Sequence, residues 1–378
     1  MSIWKESGVA AITTVLSICL LLPSLSHATD ITESLSVRGF YTLDITHSDS
    51  SGTVLPTPSG DPGPVDEGHT SYDGSLLGLQ ADYSLSDNLA LTLQAISTRH
   101  TEDSYTPTVE WAYLNYDLGD DLHLRGGKMK LSLLQGTELR YVGFSRLWVR
   151  PLVPTSGAGG FDDYVGAELI KGSSLGNYNL RFQAAYGKAE HHRDFVDNRD
   201  IKLISSRIEK DESWINFALL EARYDVDTPS GVDIMDDAQL LMGSVETELL
   251  LGKTIINAGY AYGNAEINPD EQLAYLSLGY RFEKFTPYLL LNHRQMEFDA
   301  SERPPPPGPP PPGPPPPPPL DGVHKTNTIA VGVRYDLGTT YAIKGQWDHW
   351  TDINESNPLS GNVESDGNLF TLVFEGVF

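Results

Sequence analysis

The residues of this chain that could do chemistry are charged side chains set into alternating segments. Arg38, Arg181, Arg281, Arg294, Arg334 and Lys344 each stand opposite apolar neighbours in stretches with a two-residue repeat. In an extended strand that repeat sends the cation to one face and the apolar side chains to the other. A second set lies close together in the chain. Arg125, Lys128 and Lys130 precede Glu138, Arg140, Arg146 and Arg150, with Asp162 and Asp163 just beyond. Walls of fixed charge around water select and orient ions and polar solutes. A catalytic reading has less support. His191-His192-Arg193-Asp194 offers a base or a metal ligand. No Cys/His spacing of a zinc site accompanies it, and exposed loop histidines are the ordinary account. A Ser, His and acid set, as a barrel lipase would need, is not recognisable. No catalytic residue, metal ligand or cofactor is therefore expected.

Such charges need a scaffold that turns them inward, and the repeat supplies one. Alternating segments separated by turn residues run through the chain, the signature of a membrane β-barrel. Leu35, Val37, Gly39, Tyr41 and Leu43 oppose Ser36, Arg38, Phe40, Thr42 and Asp44. Leu241, Gly243, Val245, Thr247 and Leu249 oppose Ser244, Glu246 and Glu248. The last segment carries Phe370, Leu372, Phe374, Gly376 and Phe378 on one face. A closing barrel strand calls for aromatics of this kind at lipid depth. The clear segments make an odd number, whereas a bacterial single-chain barrel has an even one with long outer loops alternating with short turns. The alternation fails between 189 and 212, and residues 200–209 can supply the missing strand. The expected fold is all-β: a transmembrane antiparallel up-and-down β-barrel of sixteen strands, with fourteen as the alternative. Short turns are expected near 85–88, 119–121, 172–177, 210–212, 251–253, 283–285 and 337–340.

Residues 1–28 read as a cleaved signal peptide, with Lys5 first, an apolar run from Val9 to Leu22, and Ser26-His27-Ala28 before the cut. The barrel would then occupy 29–378. Cys19, the only cysteine, falls in the signal, so no disulfide is expected after cleavage. After Ala28 no apolar run nears the ~18 residues of a membrane helix. The chain has 51 Asp and Glu against 26 Lys and Arg. That excess disfavours nucleic acid and suits loops above lipopolysaccharide, where divalent cations bridge carboxylates and phosphates. The prolines of 304–319 cannot form a strand, because proline fixes φ and lacks an N–H. They make 299–325 a proline-rich outer loop.

Three stretches carry a family resemblance: Trp111-Ala112-Tyr113-Leu114-Asn115-Tyr116-Asp117-Leu118, then Leu124-Arg125-Gly126-Gly127-Lys128-Met129-Lys130-Leu131, then Tyr141-Val142-Gly143-Phe144-Ser145-Arg146-Leu147-Trp148-Val149-Arg150-Pro151. With them the chain resembles the general diffusion porins of Gram-negative bacteria, most of all the porin-like proteins of marine γ-proteobacteria. The resemblance implies a passive, water-filled channel for ions and small hydrophilic solutes in the outer membrane, as a homotrimer among outer-membrane lipids and lipopolysaccharide. It also implies that the third outer loop, here 131–160, folds inward as a constriction. This loop lacks the Pro-Glu-Phe-Gly-Gly run of the enterobacterial members. Arg38, Arg281, Arg294, Arg334 and Lys344 would form one basic wall facing it, with a lean toward small anions. The alternative from another class is a closed surface adhesin that binds a partner through the proline-rich loop.

Overall fold

The computed structural model describes residues 29–49, 70–99, 105–152, 163–188, 196–227, 233–266, 270–298, 322–357 and 361–378. The signal segment 1–28, Asp162, His191-His192 and the proline run 304–319 lie outside these residues.

Sixteen long strands form the wall. They are β2 (Leu35–Ser48), β4 (Leu76–Ser86), β5 (Leu89–Thr98), β6 (Thr108–Gly119), β7 (Leu122–Lys130), β8 (Asp163–Leu175), β9 (Tyr178–Lys188) and β10 (Val196–Lys210). Then follow β11 (Ser213–Asp227), β12 (Asp233–Leu251), β13 (Thr254–Ala265), β14 (Asp270–Tyr280), β15 (Phe285–Phe298), β16 (Gly322–Asp336), β17 (Tyr341–Asn357) and β18 (Gly361–Val377). Two short pieces, β1 (Thr29–Thr32) and β3 (Thr70–Ser71), pair with β2. Each long strand pairs antiparallel with the next, and β18 closes on β2 from Leu369↔Ser48 to Val377↔Phe40. Closure leaves no free edge, so every wall strand has its ladder.

The weak segment at 200–209 is a strand in full. β10 pairs with β9 from Ile201↔Gly187 to Glu209↔Asn179, and with β11 on its other side. The count is therefore sixteen. The short turns also fall where expected. Left-handed residues tighten several of them: Asp120, Asp121, Asp211 and Glu283 with φ between 51° and 57°, and Gly176 and Gly252 with φ of 60° and 64°. Such φ values suit hairpin turns, and Asp tolerates them better than most residues.

The two faces of the wall differ as the period-2 pattern demands. Leu79, Phe217, Leu219, Leu241, Phe370 and Leu372 are exposed on the outside. Thr42, Asp44, Glu246, Ser277, Lys344 and Glu375 are buried on the inside. Tyr83, Tyr116, Tyr280 and Phe285 stand outside near the short-turn end, with Tyr186, Tyr260 and Tyr262 toward the long-loop end. An apolar band between two aromatic girdles is the exterior of a barrel built to span a bilayer. At the seam the ring of Phe378 occupies the place of a Cβ on Gly39, and Tyr41 does the same over Gly376. The terminal aromatics thus cover bare backbone where the sheet closes.

Candidate functional site

The connection after β7 turns into the barrel and touches its inner wall on several sides. Leu131 and Leu133 bury themselves against Leu203, Leu220 and Leu240. Leu134 joins Ala261 and Leu273. A single helical turn, Gln135–Glu138, follows. Thr137 Oγ1 holds it, 2.7 Å from the carbonyls of Leu131 and Leu134. The chain then crosses the lumen, and Tyr141 and Val142 pack on Phe40, Leu76 and Ile96. Leu147 and Trp148 pack on Tyr275, Tyr288 and Leu290. The third outer loop is therefore folded inward, and apolar contacts at both ends of its course keep it there.

Wall cations hold its middle. Lys344 is fully buried, with Nζ 2.6 Å from Glu375 Oε2, 2.8 Å from the Gly143 carbonyl and 3.2 Å from the Trp148 carbonyl. Arg334 donates to the carbonyls of Phe144 and Arg146 at 2.7 and 3.0 Å, and lies 4.5 Å over the Phe144 ring. Arg150 pairs with Asp348 and donates to Thr371. Arg146 clips the loop to itself, donating to the carbonyls of Leu139, Arg140 and Val149. Burial pushes the Arg146 guanidinium down to about 10, which leaves it charged at neutral pH. Gly143 is required where it stands, because a Cβ there would collide with the Glu375 carboxylate.

These contacts revise the expected basic wall. Arg334 and Lys344 do face inward, but they hold the loop instead of presenting charge to open water. Arg281 sits at the short-turn end, 3.3 Å from Glu212, and Arg38 lies there too, 2.8 Å from Asp82. Arg294 pairs with buried Glu271 at 2.7 Å toward the opposite end. The five are spread along the barrel, each with its own partners. Lys344, fully buried, needs them because a desolvated cation is costly, whereas Arg38 and Arg281 are exposed.

The charges that do converge are elsewhere. Arg125 pairs with Glu168 at 3.1 Å and lies 5.1 Å from the Tyr113 ring. Lys130 pairs with Glu110 and lies 5.6 Å from the Tyr141 ring. Lys128 is 3.2 Å from Asp163. Gly127 has φ of 141°, yet β7 stays in unbroken register with β8 from Leu122↔Lys171 to Lys130↔Asp163. Arg140 stacks on Tyr141 at 5.5 Å. Glu138, at the end of the helical turn, faces this wall across a narrow space shared with Arg181, Gln183, Arg207, Asn216 and Glu246. Arg181 and Arg207 are directly opposite each other on β9 and β10. Arg207 stacks 4.0 Å over Trp214. Among the described residues, neither the Glu138 carboxylate nor the Arg181 guanidinium has a hydrogen-bond or ion-pair partner. Sequence reasoning passed over Arg207. Its signal was available once 200–209 became a strand, since it alternates with Ile204 and Ile208.

Gly172-Ser173-Ser174-Leu175-Gly176 has the spacing of a nucleophile elbow. It ends β8 and enters a hairpin, with Ser174 Oγ bonded to Asn179 Oδ1 at 3.2 Å. An elbow needs a strand-to-helix turn, whereas Ser174 enters a strand-to-strand hairpin. His123, 3.5 Å from Asp121, lies on the adjacent strand opposite Ile170, and among the described residues it makes no hydrogen bond to Ser174.

No family model matches the sequence, and no curated protein does. Solved structures do match. Outer-membrane-expressed OmpT of Vibrio cholerae superposes with a TM-score of 0.56 at 13% identity, over 93% of this chain and 100% of that one. The outer membrane channel DcaP of Acinetobacter baumannii gives 0.56 at 11% identity, over 93% and 99%. An anion-selective porin from Comamonas acidovorans gives 0.54 at 11% identity, over 91% and 99%. At such identities the likeness is one of fold, and the fold is that of the sixteen-stranded porins.

Proposed function

We propose that the chain is a passive, water-filled porin of a bacterial outer membrane, acting as a homotrimer and passing ions and small hydrophilic solutes. The observation that carries this reading is the narrow polar gap between Glu138 on the inward loop and Arg181 and Arg207 on the wall. A sixteen-stranded barrel encloses an aqueous lumen, and the loop narrows it at this point. Glu138 and Arg181, of opposite sign across the gap, create a transverse field that aligns dipolar solutes and orders water, with Arg207, paired to Glu209 at 2.5 Å, beside Arg181. Arg125 and Lys130 are neutralised by Glu168 and Glu110, and the wall row runs from Arg181 through Arg207 and Asn216 to Glu246, with Glu138 on the loop facing it. Arg38, Arg140, Arg146, Arg150, Arg281, Arg294, Arg334 and Lys344 then act as loop supports and mouth charges, with Lys128, Asp162 and Asp163 at the loop's roots. The apolar exterior suits outer-membrane lipids, and the acidic loops suit lipopolysaccharide bridged by divalent cations.

The deciding experiment is single-channel recording of purified protein in a planar bilayer. Ohmic steps in KCl are expected. A protein that inserts and never conducts would refute the channel. The close packing of the loop on the wall favours one other reading, a closed binding barrel, and the same recording separates the two.

A further inference from the structure

A second space lies on the short-turn side of the inward loop, with a volume of about 360 Å³. That places it at the small end of the range for ligand sites. Its apolar walls include Phe40, Trp111 and Tyr141. Trp111 is braced against Tyr113, with ring centres 5.8 Å apart at 49°. Among the described residues its indole N–H makes no hydrogen bond. On the neighbouring strands a chain of polar groups is set in one orientation. Gln94 Nε2 donates to Gln80 Oε1 at 3.0 Å. Gln80 Nε2 donates in turn to Asp82 at 3.0 Å. Thr92 and Arg38 also donate to Asp82, each at 2.8 Å. The carboxylate is thereby engaged, and Gln94 keeps a carbonyl oxygen and one N–H for a visitor.

The nearby cations are engaged as well, Arg38 by Asp82 and Lys130 by Glu110 and Asp163. What remains at the surface of the space is flat rings, a fixed neutral amide, an indole donor, and the Glu138 carboxylate at its upper rim. An anion would meet Glu138 with no free cation beside it. A purely apolar molecule would leave the amide and the indole N–H unpaired, and a buried polar group without a partner is unfavourable. A neutral ring with apolar C–H faces and polar hydroxyl edges satisfies both kinds of wall.

We infer that this space is a saturable binding site for a neutral, ring-shaped polyhydroxyl solute of monosaccharide size. The site deepens the diffusion reading and rests on it for access. Glucose is the probe, with sorbitol as the open-chain control and phenol as the apolar one. Full-length protein folded in detergent is dialysed to equilibrium against labelled glucose, and its KCl conductance is recorded as glucose is added. Saturable binding and saturable loss of conductance are expected for glucose alone. Trp111→Ala and Gln94→Ala should each weaken both by about tenfold while the open-channel conductance persists. The heat-dependent mobility shift on gels checks that each variant has folded. A non-saturating fall shared with sorbitol, saturation by phenol alone, or wild-type binding in both variants would overturn the site. Absence of channels in KCl would instead remove the diffusion reading, and dialysis would still decide the site.

Discussion

At the scale of the residue, function rests on which charges lack partners. The parity of the strands correctly turns Arg181, Arg334 and Lys344 inward, and that much could be read from the chain. Whether an inward cation faces water or a carbonyl depends on what lies across the lumen, which no local pattern records. Lys344 meets Glu375 and two loop carbonyls, whereas Arg181 meets open space. The permeation charges should therefore be Glu138 and Arg181, with Arg207, paired to Glu209, directly beside Arg181. Glu138→Gln is expected to move the reversal potential in a KCl gradient toward anions, and Arg181→Gln with Arg207→Gln toward cations. If neither variant shifts it, the gap is not the selectivity-determining section. Arg334→Gln should have much less effect on selectivity, since Arg334 supports the loop.

At the scale of the element, the loop is held by a buried ion pair. Removing one partner of such a pair strands the other charge and typically costs about 3–5 kcal/mol. Lys344→Met should lower the temperature of the heat-dependent gel shift and raise conductance, as the loop loses its hold at Gly143 and Trp148. Lys344→Met with Glu375→Leu should recover much of the thermal stability, because no charge is then left unpaired. A double variant as unstable as the single one would show that the ion pair is not what Lys344 contributes. The strands make a separate prediction from their two faces. Phe217 is exposed outside and Asn216 lines the gap. Phe217→Arg should disfavour folding into liposomes by about 2–4 kcal/mol if that position lies at mid-depth. Asn216→Arg should fold and alter conductance instead. Equal penalties for the two would contradict the assigned faces.

At the scale of the whole molecule, closure makes the faces mean inside and outside. The proline-rich run 304–319 interrupts the connection between β15 and β16, which pair without it from Phe285↔Tyr335 to Phe298↔Gly322. Deleting 304–319 should thus leave folding and KCl conductance unchanged, while the binding of intact cells to surface partners tests the adhesin reading. Loss of conductance on deletion would show that the run takes part in the pore. The strand number and the turn positions were legible along the chain. They follow from a two-residue repeat, from turn residues, and from the alternation of long and short links, all local properties, whereas the inward course of the connection after β7 was implied only by the family resemblance. Even the weak strand at 200–209 followed from that alternation, although its own pattern was poor. The position of the constriction was not legible. Arg334 and Lys344 carry the same strand signal as Arg181, and only the folded loop separates them. It brings Gly143 and Trp148 to Lys344 and leaves Glu138 opposite Arg181, through contacts between residues some 40 to 200 positions apart in sequence. Charge neutralisation depends on distance through space, and spacing along the chain holds no record of it.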